Sequence, residues 1–428
     1  MTFKSIRRTF IPLFLMTTTP FLTVLAWLIA VKYDGSIATF SSLVTWDRLL
    51  SEWPLPTWKA ASYLGGFAIL QAILLVVLPG RDFQGPVTPM GNRPSYKLNG
   101  VASFLATFVL LFGVLWPMGR FDPAGVWLEY GSLLSTLVTF AFAFCAFLYL
   151  KGRMAPSTTD AGTSGNFLFD FYWGVELHPQ LSRRLNLKQF VNCRIAMMGW
   201  AVLVACMVIA QKDLPLGRPG TAILVSAILQ LTYIFKFFIW EDGYFGSLDI
   251  MHDRFGFYIC WGILAWLPGI YPVATIYLVP KAYDLPVLAA IGILALGWFA
   301  IWANYDADAQ RLRVRRTDGK TTVWGRPPVL MTARWTSGDG TPRQSLLLVS
   351  GWWGQARHVH YVTEILLALA WTLPAGFDNY LPYFYVTFLT ILLTHRSFRD
   401  EARCAAKYGE DWVEYKKKVP WRIIPGIF

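Results

Sequence analysis

The chain has 428 residues, 55% hydrophobic and 15% charged, with 20 Trp, 19 Tyr and 31 Phe. A soluble domain carries about 25% charged residues, so a disordered chain, a coiled coil and an ordinary cytosolic enzyme are excluded. The net charge of +12 would suggest nucleic acid in a soluble protein, but loops of membrane proteins are rich in Lys and Arg, so no nucleic-acid partner is expected.

The apolar residues form ten blocks, roughly 10–31, 60–80, 99–118, 131–150, 191–211, 221–240, 255–278, 286–304, 361–376 and 380–394. Most reach about 20 residues, enough to cross a ~30 Å hydrocarbon core as a helix. The fold class expected is all-α: a polytopic integral membrane protein of about ten transmembrane helices. Lys4, Arg7 and Arg8 precede the first block, which is too long for a cleaved signal peptide and reads as a retained span. Pro374, Gly376 and Asp378 mark a tight turn between the last two blocks. With the N-terminus inside and strict alternation, 31 of the 38 Lys and Arg fall inside, which predicts both termini in the cytoplasm.

The largest inside loop, 305–360, reads as a basic stretch followed by a β-hairpin. Val329–Thr336 and Gln344–Ser350 are strand-like, and Ser337 to Pro342 is the turn. The five cysteines have no C-x-x-C spacing, so neither a disulfide framework nor a zinc site is expected. There is no G-x-G-x-x-G, Walker A or H-E-x-x-H motif, and no carboxylates gather around His358 and His360. No metal is expected.

Four segments could carry chemistry. Phe169 to Pro179 holds Asp170 and Glu176 among aromatics; it suits an interfacial amphipathic segment as well as a site. Trp240 to Tyr258 packs four acids, a His, an Arg and two Tyr between apolar helices, where ionisable groups are costly and usually functional. On one helix, Asp249 and Asp253 would share a face. Arg311 to Arg316, with Lys320 and Arg326, fits lipid headgroups or nucleotide phosphates equally. Lastly, Gly351 to Tyr361, His395 to Glu401 and Lys407 to Tyr415 flank two short helices. Asp400 and Glu401, beside Arg396, Arg399 and Arg403, fit either a salt-bridged helix or a pocket for a charged, planar, ribose-bearing cofactor.

At these residues the chain resembles the sterol reductase family, which includes sterol C14-reductases, 7-dehydrocholesterol reductases and the membrane domain of the lamin B receptor. The resemblance rests on Leu346-Leu-Leu-Val-Ser-Gly-Trp-Trp-Gly-x-x-Arg-His-x-x-Tyr361, on Leu392-Leu-Thr-His-Arg-x-x-Arg-Asp-Glu through Tyr415, and on Val419-Pro-Trp-Arg-Ile-Ile-Pro-Gly-Ile-Phe428. Phe169-Asp-Phe-x-x-Gly-x-Glu-Leu-x-Pro179 and Asp249 to Tyr258 also look like family segments. It covers about 165–428, so the chain divides into 1–164, the first four helices, and 165–428, the catalytic region with sterol and NADPH pockets. His360 stands where the family often has Asn.

The resemblance implies NADPH-dependent reduction of a sterol ring double bond by protonation and hydride transfer, with sterol arriving from the bilayer and NADPH from the cytoplasm. The implied NADPH contacts are Arg311, Arg315, Leu348, Trp353, His360, Tyr361, Asp400, Cys404, Ala405, Ala406, Lys407, Tyr408 and Tyr415. The implied proton donors are Tyr244, Glu241, Tyr258 and Asp400. Gly-Trp-Trp-Gly favours a Δ14 bond, and because oxidative removal of the sterol 14α-methyl leaves such a bond to be reduced, Δ14 is the expected position; the Pro-Gly-Ile-Phe end and Leu-Thr-His-Arg favour the alternative, a Δ7 bond. More remote alternatives are an S-adenosylmethionine-dependent isoprenylcysteine-type methyltransferase, a non-enzymatic membrane receptor and a transporter. The membrane would be the endoplasmic reticulum in a eukaryote, or the inner or intracytoplasmic membrane in a bacterium. Membrane lipid is the other expected partner.

Overall fold

A computed structural model describes residues 6–88, 90–182, 185–213, 216–336 and 340–428. Lys4, Arg183, Arg184 and most of the expected hairpin turn, 337–339, lie outside these. The chain packs as two units. The first runs to Leu285 and includes Ala375–Pro382; the second is Pro286–Pro374 with Tyr383–Phe428.

In the first unit, α1 (Ile11–Lys32), α2 (Trp58–Val77), α3 (Gly100–Phe108), α4 (Tyr130–Met154), α5 (Met198–Ala210), α6 (Thr221–Ile239) and α7 (Val273–Leu278) follow the expected blocks. Three blocks contain π-helical stretches: Val109–Leu115 continues α3, Phe190–Met197 leads into α5, and Phe257–Trp266 precedes α7. Caps set the entries. The Thr57 side chain accepts from Ala60 N–H, and Asn186 accepts from Lys188 and Gln189. Polar side chains tie the apolar helices together. Gln230 accepts from the Trp200 indole at 2.9 Å and donates to Thr275 at 2.6 Å, and Tyr130 donates to the Pro268 carbonyl at 2.6 Å. An apolar cavity of about 370 Å³ opens among Tyr63, Phe67, Leu111, Gly199, Leu203 and Leu264. A small hairpin, β1 (Arg81–Gln84) with β2 (Ser95–Leu98), pairs Arg81 with Leu98.

In the second unit, α8 (Val287–Arg316) lies along α9 (Val359–Thr372). Ala300, Ala303 and Ala307 on α8 are buried, as are Ala368 and Ala370 on α9; small side chains let helices approach closely. The expected hairpin forms as β3 (Leu330–Thr336) and β4 (Pro342–Leu348), with Leu330 opposite Leu348 and Trp335 opposite Arg343. The second strand starts two residues earlier than expected, because Pro342 and Arg343 still pair with the first. The last apolar block is the first half of α10 (Phe384–Tyr408). Gly409, at φ +51°, ends that helix and opens α11 (Glu410–Lys418).

Among the described residues, seven helices are long and apolar enough to cross a membrane, and Gly100–Leu115 and Val359–Ala375 are shorter apolar helices. The protein is a polytopic helical membrane protein, and the sheets among the described residues are small and two-stranded.

Candidate active site

The expected cofactor residues all belong to the second unit. The end of α8 carries Arg311, whose guanidinium carbon lies 4.2 Å from the centre of the Trp353 ring, while its Nη2 meets Asp308 at 3.0 Å. Trp353 is held from behind: its indole N–H donates to the Ala307 carbonyl at 2.7 Å. Its neighbour Trp352 donates through the indole to Asp306 at 2.8 Å, and through its backbone to Gln310. Gly351, at φ +64°, makes the turn that sets both indoles against α8; a side chain there would strike Gln310 and Val323. The Gly-Trp-Trp motif is thus a double pin onto one face of the helix that carries Arg311 and Arg315.

An aromatic run continues from Trp353. Its ring centre is 5.0 Å from His360, and His360 is 4.4 Å from Tyr361, against which His358 stacks at 5.0 Å and 11°. His360 Nδ1 and His358 Nε2 are buried with no hydrogen-bond partner among the described residues. Burial pushes the His358 ring down to about 4, partly offset by Asp400 and Glu401, so the imidazole is neutral at pH 7. Asp400 Oδ2 stands 4.0 Å from His358 Nε2, and Oδ1 pairs with Arg403 at 2.6 Å. Burial alone would raise the Asp400 carboxyl, but Arg403, His358 and Arg311 hold it below its ordinary value.

On α10 and α11, Cys404, Tyr408 and Tyr415 are buried with Trp412 against Ala333 and Leu347 of the hairpin. The Tyr415 hydroxyl donates to the Leu348 carbonyl at 3.1 Å, and burial pushes that hydroxyl up to about 12. Ala405, Ala406, Lys407 and Arg315 face outward; Lys407 Nζ sits 3.9 Å from the centre of the Trp335 ring.

Sequence reasoning missed the part played by Glu401 and Arg357. Glu401 receives Arg357 at 2.5 and 2.7 Å and Arg422 at 2.6 Å. Arg357 also donates to the carbonyls of Val419 and Pro420, and the His358 backbone N–H to that of Arg422. Arg-His and the C-terminal segment are therefore one clamp. A sequence signal existed, since Arg357 is a cation next to an apolar helix, but its side-chain partners lie 44 to 63 residues away.

The expected proton donors Glu241, Tyr244 and Tyr258 belong to the first unit. Glu241 is buried in a bidentate pair with Arg194, at 2.5 and 3.2 Å, and its Oε2 also accepts from Gly100 N–H. Arg194 reaches Asn99 as well, at 2.9 Å, and is fully buried. The Tyr244 hydroxyl accepts from Asn192 Nδ2 at 3.0 Å. Tyr258, half-buried, lies 5.8 Å from the rings of both Tyr172 and Trp173. The helix at Leu248–Met251 stops before Asp253, so Asp249 and Asp253 do not share a helical face. Buried Lys188 accounts for the stop: its ammonium donates to the carbonyls of Ile250 and Asp253, at 2.8 and 2.5 Å. Asp170 and Glu176 hold loops. Asp170 accepts from Ser164 N–H, and Glu176 accepts from Ser157 N–H and pairs with Lys151. Among the described residues no group of His, Cys, Asp and Glu could hold a metal ion.

The chain is 47% identical to a 7-dehydrocholesterol reductase of Arabidopsis thaliana over 97% of its length and 96% of the relative's. It is 38% identical to a Delta(14)-sterol reductase of Methylotuvimicrobium alcaliphilum, over 97% and 94%. A mouse Delta(14)-sterol reductase is 34% identical over 83% and 82%. With its profile matched across residues 7–428, the chain belongs to the ergosterol biosynthesis ERG4/ERG24 family.

Proposed function

We propose that this protein, a sterol reductase by its family, uses NADPH to reduce a ring double bond of a sterol, with Δ7 as the preferred position. The observation that carries the cofactor assignment is the run Arg311–Trp353–His360–Tyr361, beside two buried imidazole nitrogens, of His358 and His360, with no hydrogen-bond partner among the described residues. Buried polar atoms in native proteins are normally hydrogen-bonded, so nitrogens left unmet beside aromatic faces and guanidinium groups fit a planar, phosphate-bearing, polar ligand.

The bound cofactor would supply the hydride. Arg311 and Arg315 would hold its extra phosphate, because a guanidinium fork matches phosphate oxygens. Trp353 and Tyr361 would offer ring faces, and neutral His358 and His360 would offer one hydrogen bond each. Asp400, kept ionised by Arg403, accepts hydrogen bonds and would hold a ribose hydroxyl or an amide rather than give a proton. Leu348, Cys404, Tyr408 and Tyr415 shape the wall, and Ala405, Ala406 and Lys407 its outer edge.

A ring alkene without an electron-withdrawing group, conjugated or not, takes hydride only after protonation to a tertiary or allylic cation. Glu241 is engaged by Arg194 and the Gly100 N–H, and Asp400 is a carboxylate. Tyrosine remains neutral at pH 7 and suits an apolar pocket, so Tyr244 is the proposed donor, with Tyr258 the second choice. The catalytic region is proposed to span 165–428, with both termini in the cytoplasm.

The 47% relative and the Pro-Gly-Ile-Phe end support Δ7. The second reading, Δ14, is favoured by Gly351-Trp-Trp-Gly and the 38% relative. The test is gas chromatography of products after incubation with NADPH and either a Δ5,7 or a Δ8,14 sterol. Turnover of the Δ5,7 sterol at the greater kcat/KM supports the first choice, and the reverse order supports the second. Failure of both substrates, with stabilisation by S-adenosylmethionine and not by NADPH, would overturn the reductase reading.

A further inference from the structure

The apolar cavity of the first unit draws on none of the residues given a part in the reaction. Its lining residues fall between Ser62 and Pro268 in sequence, and Glu241, Tyr244 and Tyr258 are not among them. The wall is apolar except at one end, where Ser62, Tyr63 and Arg120 line it. The Ser62 hydroxyl donates to the Lys59 carbonyl at 2.7 Å. Arg120 is exposed and pairs with no carboxylate among the described residues, and the Tyr63 hydroxyl likewise has no hydrogen-bond partner among them. Two acids stand near Tyr63. Asp122 lies with the Tyr63 hydroxyl beside Gly125, and Glu129 pairs with Lys59 at 3.3 Å; neither lines the cavity.

The same end carries membrane-interface residues. Trp58 is exposed at the start of α2, and Trp116 lies under the Lys212 ammonium at 5.0 Å; Trp collects at headgroup level. Along α2 the lining runs from Ser62 to Leu70, about 12 Å at 1.5 Å per residue. One leaflet offers about 15 Å of hydrocarbon, half of a ~30 Å core. Ser62 and Gly66 are exposed on one face of α2, so the cavity opens to the bilayer along that side. An apolar space of about 370 Å³ with such an opening takes hydrocarbon rather than water.

We propose that this cavity binds one acyl chain of a lipid with an anionic head. The chain lies among α2, α4 and α5, and its carboxylate or phosphate meets Arg120, with the Tyr63 hydroxyl as a second donor. A guanidinium fork matches either anion. A sterol hydroxyl needs no cation, and a choline head would bring a second positive charge to Arg120. A ligand bound only by the folded helices stabilises them by mass action.

The test needs no turnover. Full-length protein, stripped of co-purifying lipid by detergent exchange, is titrated with oleate, with palmitoyl-oleoyl phosphatidylglycerol, with the matching phosphatidylcholine and with cholesterol. Melting temperature and native mass spectrometry read binding. Oleate, phosphatidylglycerol or both should add a bound mass and raise the melting temperature, and which of them does so identifies the head as carboxylate or phosphate. Phosphatidylcholine should bind about tenfold more weakly or worse. Arg120→Gln should bring the anionic lipid down to the level of phosphatidylcholine. Gly199→Phe and Gly66→Phe should abolish binding by filling the space. A Cβ on Gly199 would stand 3.6 Å from the Phe67 ring, an ordinary contact, and one on Gly66 would meet nothing within 4 Å, so neither variant is forced to misfold. The proposal is overturned if wild type binds neither anionic lipid, if phosphatidylcholine or cholesterol binds as tightly, or if Arg120→Gln or both filled variants bind like wild type. Stabilisation by NADPH, whose proposed residues belong to the other unit, is read on the same samples; its absence would count against the cofactor reading alone.

Discussion

Asp400 and Glu401 are adjacent carboxylates on one helix, and substituting them should have opposite consequences. Among the described residues, Glu401 is the carboxylate that pairs with both Arg357 and Arg422, and the Arg357 side chain is 6% exposed. Glu401→Ala leaves a buried guanidinium with carbonyl partners but no counter-charge. Breaking a buried pair by removing one partner costs about 3–5 kcal/mol. At roughly 2–4 °C per kcal/mol, the melting temperature in detergent should fall by about 6–20 °C. The KM for NADPH, measured well below that transition, should change little. Asp400 pairs with Arg403, whose side chain is 43% exposed, so Asp400→Asn should cost at most about 1 kcal/mol. Its effect should fall on kcat/KM, lowered roughly 10²-fold, because the lost charge belongs to the cofactor pocket. Differential scanning fluorimetry and steady-state NADPH oxidation on the same preparations give all four numbers. A Glu401→Ala protein that melts with wild type would refute the clamp. An Asp400→Asn protein with near-wild-type turnover at limiting NADPH would remove that segment from the active site.

Arg315→Ala and Arg311→Ala should each raise the KM for NADPH about tenfold or more and narrow the preference over NADH, since a hydrogen bond to a charged group is worth roughly 1.5–3 kcal/mol; an unchanged NADPH/NADH ratio in both would exclude them. His358 is neutral in the fold down to about pH 4, whereas an unfolded His takes a proton near 6.5. Its contribution is therefore intact above pH 6.5 and lost as pH falls from 6.5 to 4, by roughly 3 kcal/mol in all. The Asp400 and Glu401 carboxyls, both lowered, add to the loss at more acid pH. A melting temperature flat between pH 6.5 and 4.5 would contradict this, and His358→Gln should flatten it. Reporter fusions at Gly217 and Thr341 should report opposite sides of the membrane; the same side for both would sink the alternating topology.

The span limits were legible because a block of apolar residues needs no periodicity to announce itself. What happens inside a block was not. Phe257 to Trp266 is apolar almost throughout, so a change from α to π hydrogen bonding leaves no trace in hydropathy. The hairpin was legible from its strand-like runs, while the reach of its second strand was set by pairing of Arg343 with Trp335. At the site, residue types pointed to a planar, anionic cofactor, but not to which residues brace which. Trp352 and Trp353 look like stacking surfaces in sequence, and their indole N–H groups turn out to be pins onto Asp306 and Ala307, 46 residues earlier. Glu241 reads as a candidate acid until Arg194, 47 residues away, is found to hold it. Such pairings depend on tertiary distance, on which spacing along the chain is silent.

The π-helical stretches bear on how this chain tolerates length changes. A ring closed from residue i to i+5 holds one residue more than an α turn, so each stretch stores a surplus residue within an otherwise regular rod. Deleting one residue between Phe190 and Met197 would let the ladder close as α-helix with its hydrogen bonds intact. Because the wide rings absorb the surplus residue, the helix on either side of the cut would keep its phase, whereas one residue deleted from a regular α-helix turns the two sides by about 100°, the angle of one residue in a 3.6-residue turn. Only the side chains within the stretch, Asn192 and Arg194 among them, would be re-aimed relative to Trp200 and Cys206 on α5. Single-residue deletions in these stretches would thus separate insertion into the bilayer, which depends on hydropathy alone, from chemistry, which depends on where those few side chains point.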